Sequence, residues 1–195
     1  MKVAVVKYNA GNIQSLSFAL NKLGIDPIVT DRADQLNTAD KVIFPGQGEA
    51  SSAMNYLRNK GLDKVLKDLH QPFLGICLGM QLMCESTEEN EAECLGIVPA
   101  KVKKFVDPDL KVPHMGWNDI FDNAGPLMQG VEEHSYMYFV HSYYVEAGDW
   151  TISKCNYGVD FSTAIQKDNF YAVQPHPEKS AEVGHQVLEN FLKIN

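Results

Sequence analysis

Three short runs of consecutive apolar residues, Val3 to Val6, Val42 to Phe44 and Phe73 to Ile76, each lead into a stretch with helical character. A run with no polar alternation is a strand that needs cover on both faces, which a parallel sheet between helices supplies. After the first run, Asn12 is placed to cap a helix whose Ile13, Leu16, Leu20 and Leu23 share one face before Gly24 ends it. Ile25 to Thr30 reads as a further strand despite Pro27, and Pro45-Gly46-Gln47-Gly48 stops the strand at Val42 to Phe44. The next helix is expected near Ala50, with Leu62, Val65, Leu66 and Leu69 continuing an apolar face. Strand and helix alternating in this way predict an α/β fold, an open, mostly parallel sheet flanked by helices.

Beyond Glu93 the pattern changes. Lys101 to Val106, Ser135 to Val145, Thr151 to Asn156 and Ser162 to Lys167 read as strands separated by Gly, Asn and Asp turns, and they predict an antiparallel extension of the sheet. Phe170 to Val173 is a last short strand, and Val183, Val187, Leu188, Phe191 and Leu192 mark a C-terminal helix. The acidic stretch Glu85 to Glu93 is expected to be a solvated loop. With 45% apolar and 22% charged residues over 195 positions, residues 1–195 are expected to form a single domain with a full core.

A formal net charge of −8 argues against nucleic acid as a partner. No apolar run approaches the roughly 18 residues of a membrane span, and the N-terminal run is too short for a secretory signal, so the cytoplasm is the expected compartment. Cys77, Cys84, Cys94 and Cys155 are irregularly spaced, which favours reduced thiols over a disulfide framework. Clustered Cys/His spacing is missing as well, so no metal site is expected.

The segment most suggestive of chemistry is Gly75-Ile76-Cys77-Leu78-Gly79-Met80-Gln81, where a cysteine stands between a strand that ends and a helix that begins. Such an elbow exposes its side chain above the sheet, and the helix N-terminus favours a thiolate while offering N–H groups to an oxyanion. The competing interpretation is a small buried hydrophobe, the usual fate of a free cysteine. A thiol nucleophile needs a base. The strand at Phe170 to Val173 runs through Gln174 into Pro175-His176-Pro177-Glu178, where prolines stiffen an extended segment around His176. Glu178 can accept the imidazole N–H and fix the tautomer that faces the thiol. Otherwise His176 is a surface residue in a proline turn. The loop at Pro45 to Gly48 can add backbone donors beside Leu78 N–H, although by itself it is an ordinary turn.

Taken together, PGQGEA at 45–50, GICLGMQLM at 75–83 and QPHPEKS at 174–180 resemble the class I glutamine amidotransferases, flavodoxin-like α/β enzymes with a Cys-His-Glu triad. Asn9-Ala10-Gly11-Asn12-Ile13, Val112-Pro113-His114-Met115-Gly116-Trp117-Asn118 and Tyr138-Phe139-Val140-His141-Ser142-Tyr143 extend the likeness to the branch formed by the glutaminase subunits of imidazole glycerol phosphate synthases. The segment around Trp117 separates this branch from others that share only the triad.

The resemblance implies that Cys77 is the nucleophile, His176 the general base and acid, and Glu178 its orienting partner. It implies an oxyanion hole from Leu78 N–H and the loop at Gln47 and Gly48, where the family commonly carries Val in place of Gln47. Glutamine would be held by Gln81, Ser142, Tyr143 and Glu89, the last in a stretch whose composition otherwise suggests a solvated glutamate. Gly79 is expected to serve close helix packing. The implied partner is a (β/α)8-barrel cyclase that receives the ammonia, with Asn12, Trp117, Asn118, Tyr138 and Lys179 toward it. From the residues alone, these same positions read as a helix cap, core aromatics and a surface charge. The implied pathway is histidine biosynthesis, without a cofactor. Two competitors are a stand-alone cysteine hydrolase of the same fold, such as a gamma-glutamyl hydrolase, and a binding module that has lost catalysis. Activity of the isolated chain on peptide-linked glutamates marks the first. Inertness beside a verified cyclase marks the second.

Overall fold

In the computed structural model, which describes residues 1–9 and 11–195, the N-terminal half alternates strand and helix as the apolar runs predict. Ala10, inside the Asn9-to-Ile13 motif, lies outside the described residues. The order is β1 (Val3–Val6), α1 (Ile13–Lys22), β2 (Ile28–Thr30), α2 (Ala33–Asn37), β3 (Lys41–Gly46), α3 (Ala50–Asn59), α4 (Leu62–Lys67), β4 (Phe73–Cys77) and α5 (Leu78–Met83). The second half contributes β5 (Ser86–Thr87), β6 (Ala92–Glu93), β7 (Lys101–Lys104), β8 (His114–Ile120), β9 (Ser135–His141), β10 (Tyr143–Glu146), β11 (Thr151–Asn156), β12 (Asp160–Lys167), β13 (Phe170–Val173) and α6 (Ala181–Lys193).

The main sheet runs β2-β1-β3-β4-β13-β12-β10-β7-β5-β6, with β11 paired to β12. From β2 to β13 every pairing is parallel; β12, β10 and β7 then add antiparallel neighbours. Period-2 alternation divides the core between the two faces. Val3, Val5, Ile43, Leu74 and Ile76 pack with Leu16 and Leu20 of α1 and Val187, Leu188 and Phe191 of α6. On the other face Ala4, Val6, Val42, Phe44 and Phe73 pack with Leu36, Met54, Leu57 and Leu66. Each fully buried large side chain, Phe44 and Phe73 among them, contributes about 1.5–3 kcal/mol of transfer free energy. Among the described residues, no helix is long and apolar enough to cross a membrane.

Several expected boundaries shift. The strand expected over 25–30 begins only at Ile28, because Pro27 has no N–H to give a ladder. Ser135 to Val145 is two strands: the chain breaks at Ser142, so β9 pairs with β8 in a separate ribbon while β10 joins the main sheet. The strand expected over 101–106 ends at Lys104, and the one expected from Ser162 starts at Asp160. Leu62, Val65 and Leu66 belong to a short separate helix that follows Gly61, whose φ is 67°, and ends at Lys67, so Leu69 is buried from the loop beyond it. The acidic stretch at 85–93 is not a plain loop, since Ser86 and Thr87 pair with Glu93 and Ala92.

Candidate active site

Parallel pairing alone brings the three sequence motifs together. Gly46 at the end of β3 is in register with Cys77 at the end of β4, and Val173 at the end of β13 is in register with Ile76. The C-terminal edges of adjacent parallel strands therefore present the 45–48 loop, Cys77 and the segment from Gln174 to Glu178 side by side. This edge is where α/β sheets place their ligands.

Cys77 occupies a strained backbone conformation, φ 54° and ψ −110°, between β4 and α5. A non-glycine residue held there is the mark of a nucleophile elbow. Gly79 makes the tight turn sterically feasible, because a Cβ at that position would overlap the carbonyl oxygen of Phe44. Close packing of α5 on β3 is thus the reason for this glycine, as the sequence suggests. The Cys77 side chain is nearly buried and opens into a cavity of about 500 Å³.

His176 is 1% exposed and is anchored by its own N–H, which donates to the Tyr138 carbonyl at 2.9 Å. Its Nδ1–H donates to Glu178 Oε1 at 2.9 Å, and both side chains are out of contact with bulk water. A carboxylate on Nδ1 leaves the Nε2 lone pair to take a proton. Among the described residues Nε2 lacks a partner with full hydrogen-bond geometry, yet the Cys77 sulfur is near enough to govern its charge. Burial disfavours the imidazolium, but Cys77 and Glu178 together outweigh burial and raise His176 from 6.5 to about 10. The arrangement sets an imidazole that readily carries a proton beside a cysteine sulfur, a pairing that can serve nucleophilic attack followed by proton return.

Around the cavity stand Gln47, Gly48, Leu78, Gln81, Glu89, Ser142 and Tyr143, all of the residues that the resemblance implies for the oxyanion hole and for glutamine. Gly48 has φ 124°, a backbone conformation that glycine adopts without strain. Gln81, on the first turns of α5, donates through Nε2 to the Tyr143 carbonyl at 3.0 Å. Glu89 is partly buried, and its Oε2 accepts the Ala50 N–H at 2.7 Å at the start of α3; burial pushes its carboxyl up, with the nearby Glu49 charge adding to the rise. Tyr138 and Lys179 also line the cavity, with the Lys179 ammonium 5.8 Å from the Tyr138 ring centroid. Trp117 lies outside the cavity, on the β8–β9 ribbon, half exposed and edge-on to Tyr138 at 6.0 Å. Asn118 faces the opposite side of that ribbon and spends its amide on the Asn156 carbonyl at 3.0 Å and on His114. Asn12 sits at the N-terminus of α1, and its side chain makes no capping bond.

Sequence reasoning passed over Gln174, His141 and Tyr8. Tyr8 lies beneath the loop, donating its hydroxyl to the Pro45 carbonyl at 2.7 Å, and burial pushes its phenol above the ordinary value. His141 lines the cavity and is pushed down to about 3 by burial. The signal for Gln174 was its place inside the QPHPE segment, one residue past the last strand. Among the described residues, no group of three His, Cys, Asp or Glu side chains is placed to hold a metal ion.

The sequence matches the family glutamine amidotransferase class-I over residues 4–194. It is 53% identical over 196 residues to imidazole glycerol phosphate synthase subunit HisH of Bacteroides thetaiotaomicron, covering all of both chains. The same subunit of Escherichia coli K12 is 44% identical over 196 residues, again with full coverage of both. Among solved structures, a glutamine amidotransferase superposes with a TM-score of 0.76 at 17% identity, covering 97% of each chain. PurLQS from Thermotoga maritima gives 0.73 at 18% identity, covering 98% of this chain and 97% of that one.

Proposed function

The chain belongs to the glutamine amidotransferase class-I family, and on that premise we propose that Cys77, His176 and Glu178 are its catalytic triad. It is the glutaminase subunit of an imidazole glycerol phosphate synthase, an enzyme of histidine biosynthesis. The observation that carries the site reading is the buried His176–Glu178 pair at 2.9 Å beside a cysteine held at φ 54°. Residues 1–195 act as one amidotransferase domain.

Glutamine enters the cavity with its ammonium toward Glu89 and its polar groups on Gln81 and the Ser142–Tyr143 backbone. The Cys77 thiolate attacks the side-chain carboxamide carbon. The oxyanion is met by N–H groups of Leu78 and of the Gln47–Gly48 loop, a backbone role that a glutamine in place of valine leaves intact. The His176 imidazolium hands its proton to the departing ammonia, then takes one from a water that cleaves the thioester and releases glutamate.

The partner subunit of the synthase is a (β/α)8-barrel cyclase, which receives ammonia through an enclosed path before water can protonate it. Trp117, Tyr138 and Lys179 support this reading: an exposed tryptophan edge-on to a half-buried tyrosine beside a lysine is the composition of an interface anchor, and Tyr138 and Lys179 also border the cavity. Met115, 62% exposed on the same strand face as Trp117, extends the apolar patch. Asn12 at the start of α1 and Asn118 on the reverse side of the ribbon are the further positions assigned to the partner. A biosynthetic role and four free cysteines point to the cytoplasm.

Glutamate release from glutamine tests the proposal, measured for the chain alone, with the cyclase, and with the cyclase plus its nucleotide ligand. The chain alone should be nearly inactive and the liganded complex active. Cys77→Ala should abolish release while preserving folding and complex formation. Normal turnover in that variant overturns the triad. Full activity without a cyclase overturns the coupling.

A further inference from the structure

The reaction above gives Gln174 no role, although its side-chain carboxamide is wholly buried beside the nucleophile. An amide buried at that depth is tolerated only when both its ends are paired. Gln174 Oε1 accepts from Gln81 Nε2 at 3.0 Å, and Gln174 Nε2 donates to Cys77 Sγ at 3.6 Å. The direction of this chain is dictated from its far end. The Tyr143 carbonyl can only accept, so Gln81 must turn its NH₂ toward it, at 3.0 Å. The second hydrogen of that NH₂ then meets the Gln174 oxygen, which leaves the Gln174 NH₂ on the sulfur. His141 holds the same carbonyl from the other side, donating Nδ1–H at 2.7 Å.

A thiolate is a far better acceptor than a thiol, so an N–H directed at sulfur selectively favours the anion. We propose that the Gln174 carboxamide is a donor to the nucleophilic sulfur, stabilising its thiolate, and that Gln81 holds it in that orientation from the glutamine pocket. The proposal deepens the glutaminase reading and rests on it for the identity of the substrate. The titratable groups around the sulfur are Tyr8 and His176, with Glu178 and His141 against His176. Tyr8 donates its own hydrogen to Pro45, which among the described residues leaves Gln174 as the neutral side-chain donor on Cys77.

The test is alkylation of the full chain by iodoacetamide across pH, with labelling of Cys77 resolved from Cys84, Cys94 and Cys155 by peptide mass. Gln174→Met keeps the side-chain length and removes the donor. Its Cys77 labelling at neutral pH should fall about tenfold, and the pH profile should move up by about one unit. In the complex with the cyclase, kcat for glutamine should fall about tenfold while KM changes less than about threefold, as expected for a group acting on the nucleophile. Gln81→Glu places an acceptor opposite Gln174 Oε1, so the carboxamide must turn its oxygen to the sulfur, and the alkylation profile should move up in the same direction. A folded Gln174→Met chain with an unchanged profile overturns the proposal. If that variant does not fold, an unchanged profile in Gln81→Glu overturns it. A shifted profile in chains whose wild type never releases glutamate with the cyclase retains the sulfur donor and overturns the glutaminase reading instead.

Discussion

Replacing Glu178 by Gln is the most informative change at the proposed triad, because it keeps the shape of a buried side chain and removes only its charge. The raised His176, from 6.5 to about 10, corresponds to roughly 5 kcal/mol in favour of the imidazolium. Glu178 is one of the two groups that hold the proton there against the burial penalty, and a buried charge-assisted hydrogen bond of this kind is worth about 2 kcal/mol. The glutamine amide can still accept the Nδ1–H, so the tautomer survives and only the electrostatic part is lost. At about 1.4 kcal/mol per factor of ten, kcat of the Glu178→Gln complex should fall about thirtyfold. The assay is glutamate release in the presence of saturating cyclase and its nucleotide ligand. Stability carries a second signature. A group whose folded value is raised stabilises the fold fully below its unfolded value near 6.5, and that contribution disappears as pH rises through about 10. The thermal stability gap between wild type and variant should therefore be widest at neutral and mildly acidic pH and narrow above pH 10. A variant with kcat within about threefold of wild type, and a gap independent of pH, would refute the charge argument.

Two further changes probe the scaffold and the partner face. Gly79→Ala should destabilise the chain by about 2–3 kcal/mol, since a methyl would overlap the Phe44 carbonyl oxygen and neither backbone can move alone. Its Tm should fall by about 5–10 °C, and an unchanged Tm would show that α5 is not pressed onto β3. Trp117→Ala should leave the fold intact and weaken the complex by about 2 kcal/mol, about thirtyfold in Kd by titration calorimetry. Equal affinity would remove the β8–β9 ribbon from the interface.

Wherever one physical rule dominates, the sequence is a sufficient guide. The all-apolar runs at Val3–Val6 and Phe170–Val173 can only be strands buried on both faces, and the structure has them with those limits. The positions of Cys77, His176 and Glu178 follow from the same rule, because parallel strands in register must place their C-terminal ends together. What escaped notice depends on tertiary partners. His114–Ile120 contains Gly116, Asn118 and Asp119, poor strand formers, and is a strand because β9 pairs with it residue for residue. The break at Ser142 carries no glycine or proline, and burial at Met137, Phe139 and His141 continues at Val145, so nothing local marks the change of sheet. That break matters for function. It frees the Ser142–Tyr143 segment from β9, lets the Tyr143 carbonyl meet Gln81, and through Gln81 sets the direction of Gln174 toward sulfur. The orientation of an amide is decided by whichever neighbour can only accept, a property of the assembled pocket and not of any motif. For this reason the residues of the proposed triad can be read from two short motifs, while the direction of the amide toward the cysteine sulfur becomes visible only when a carbonyl on a different strand is in place.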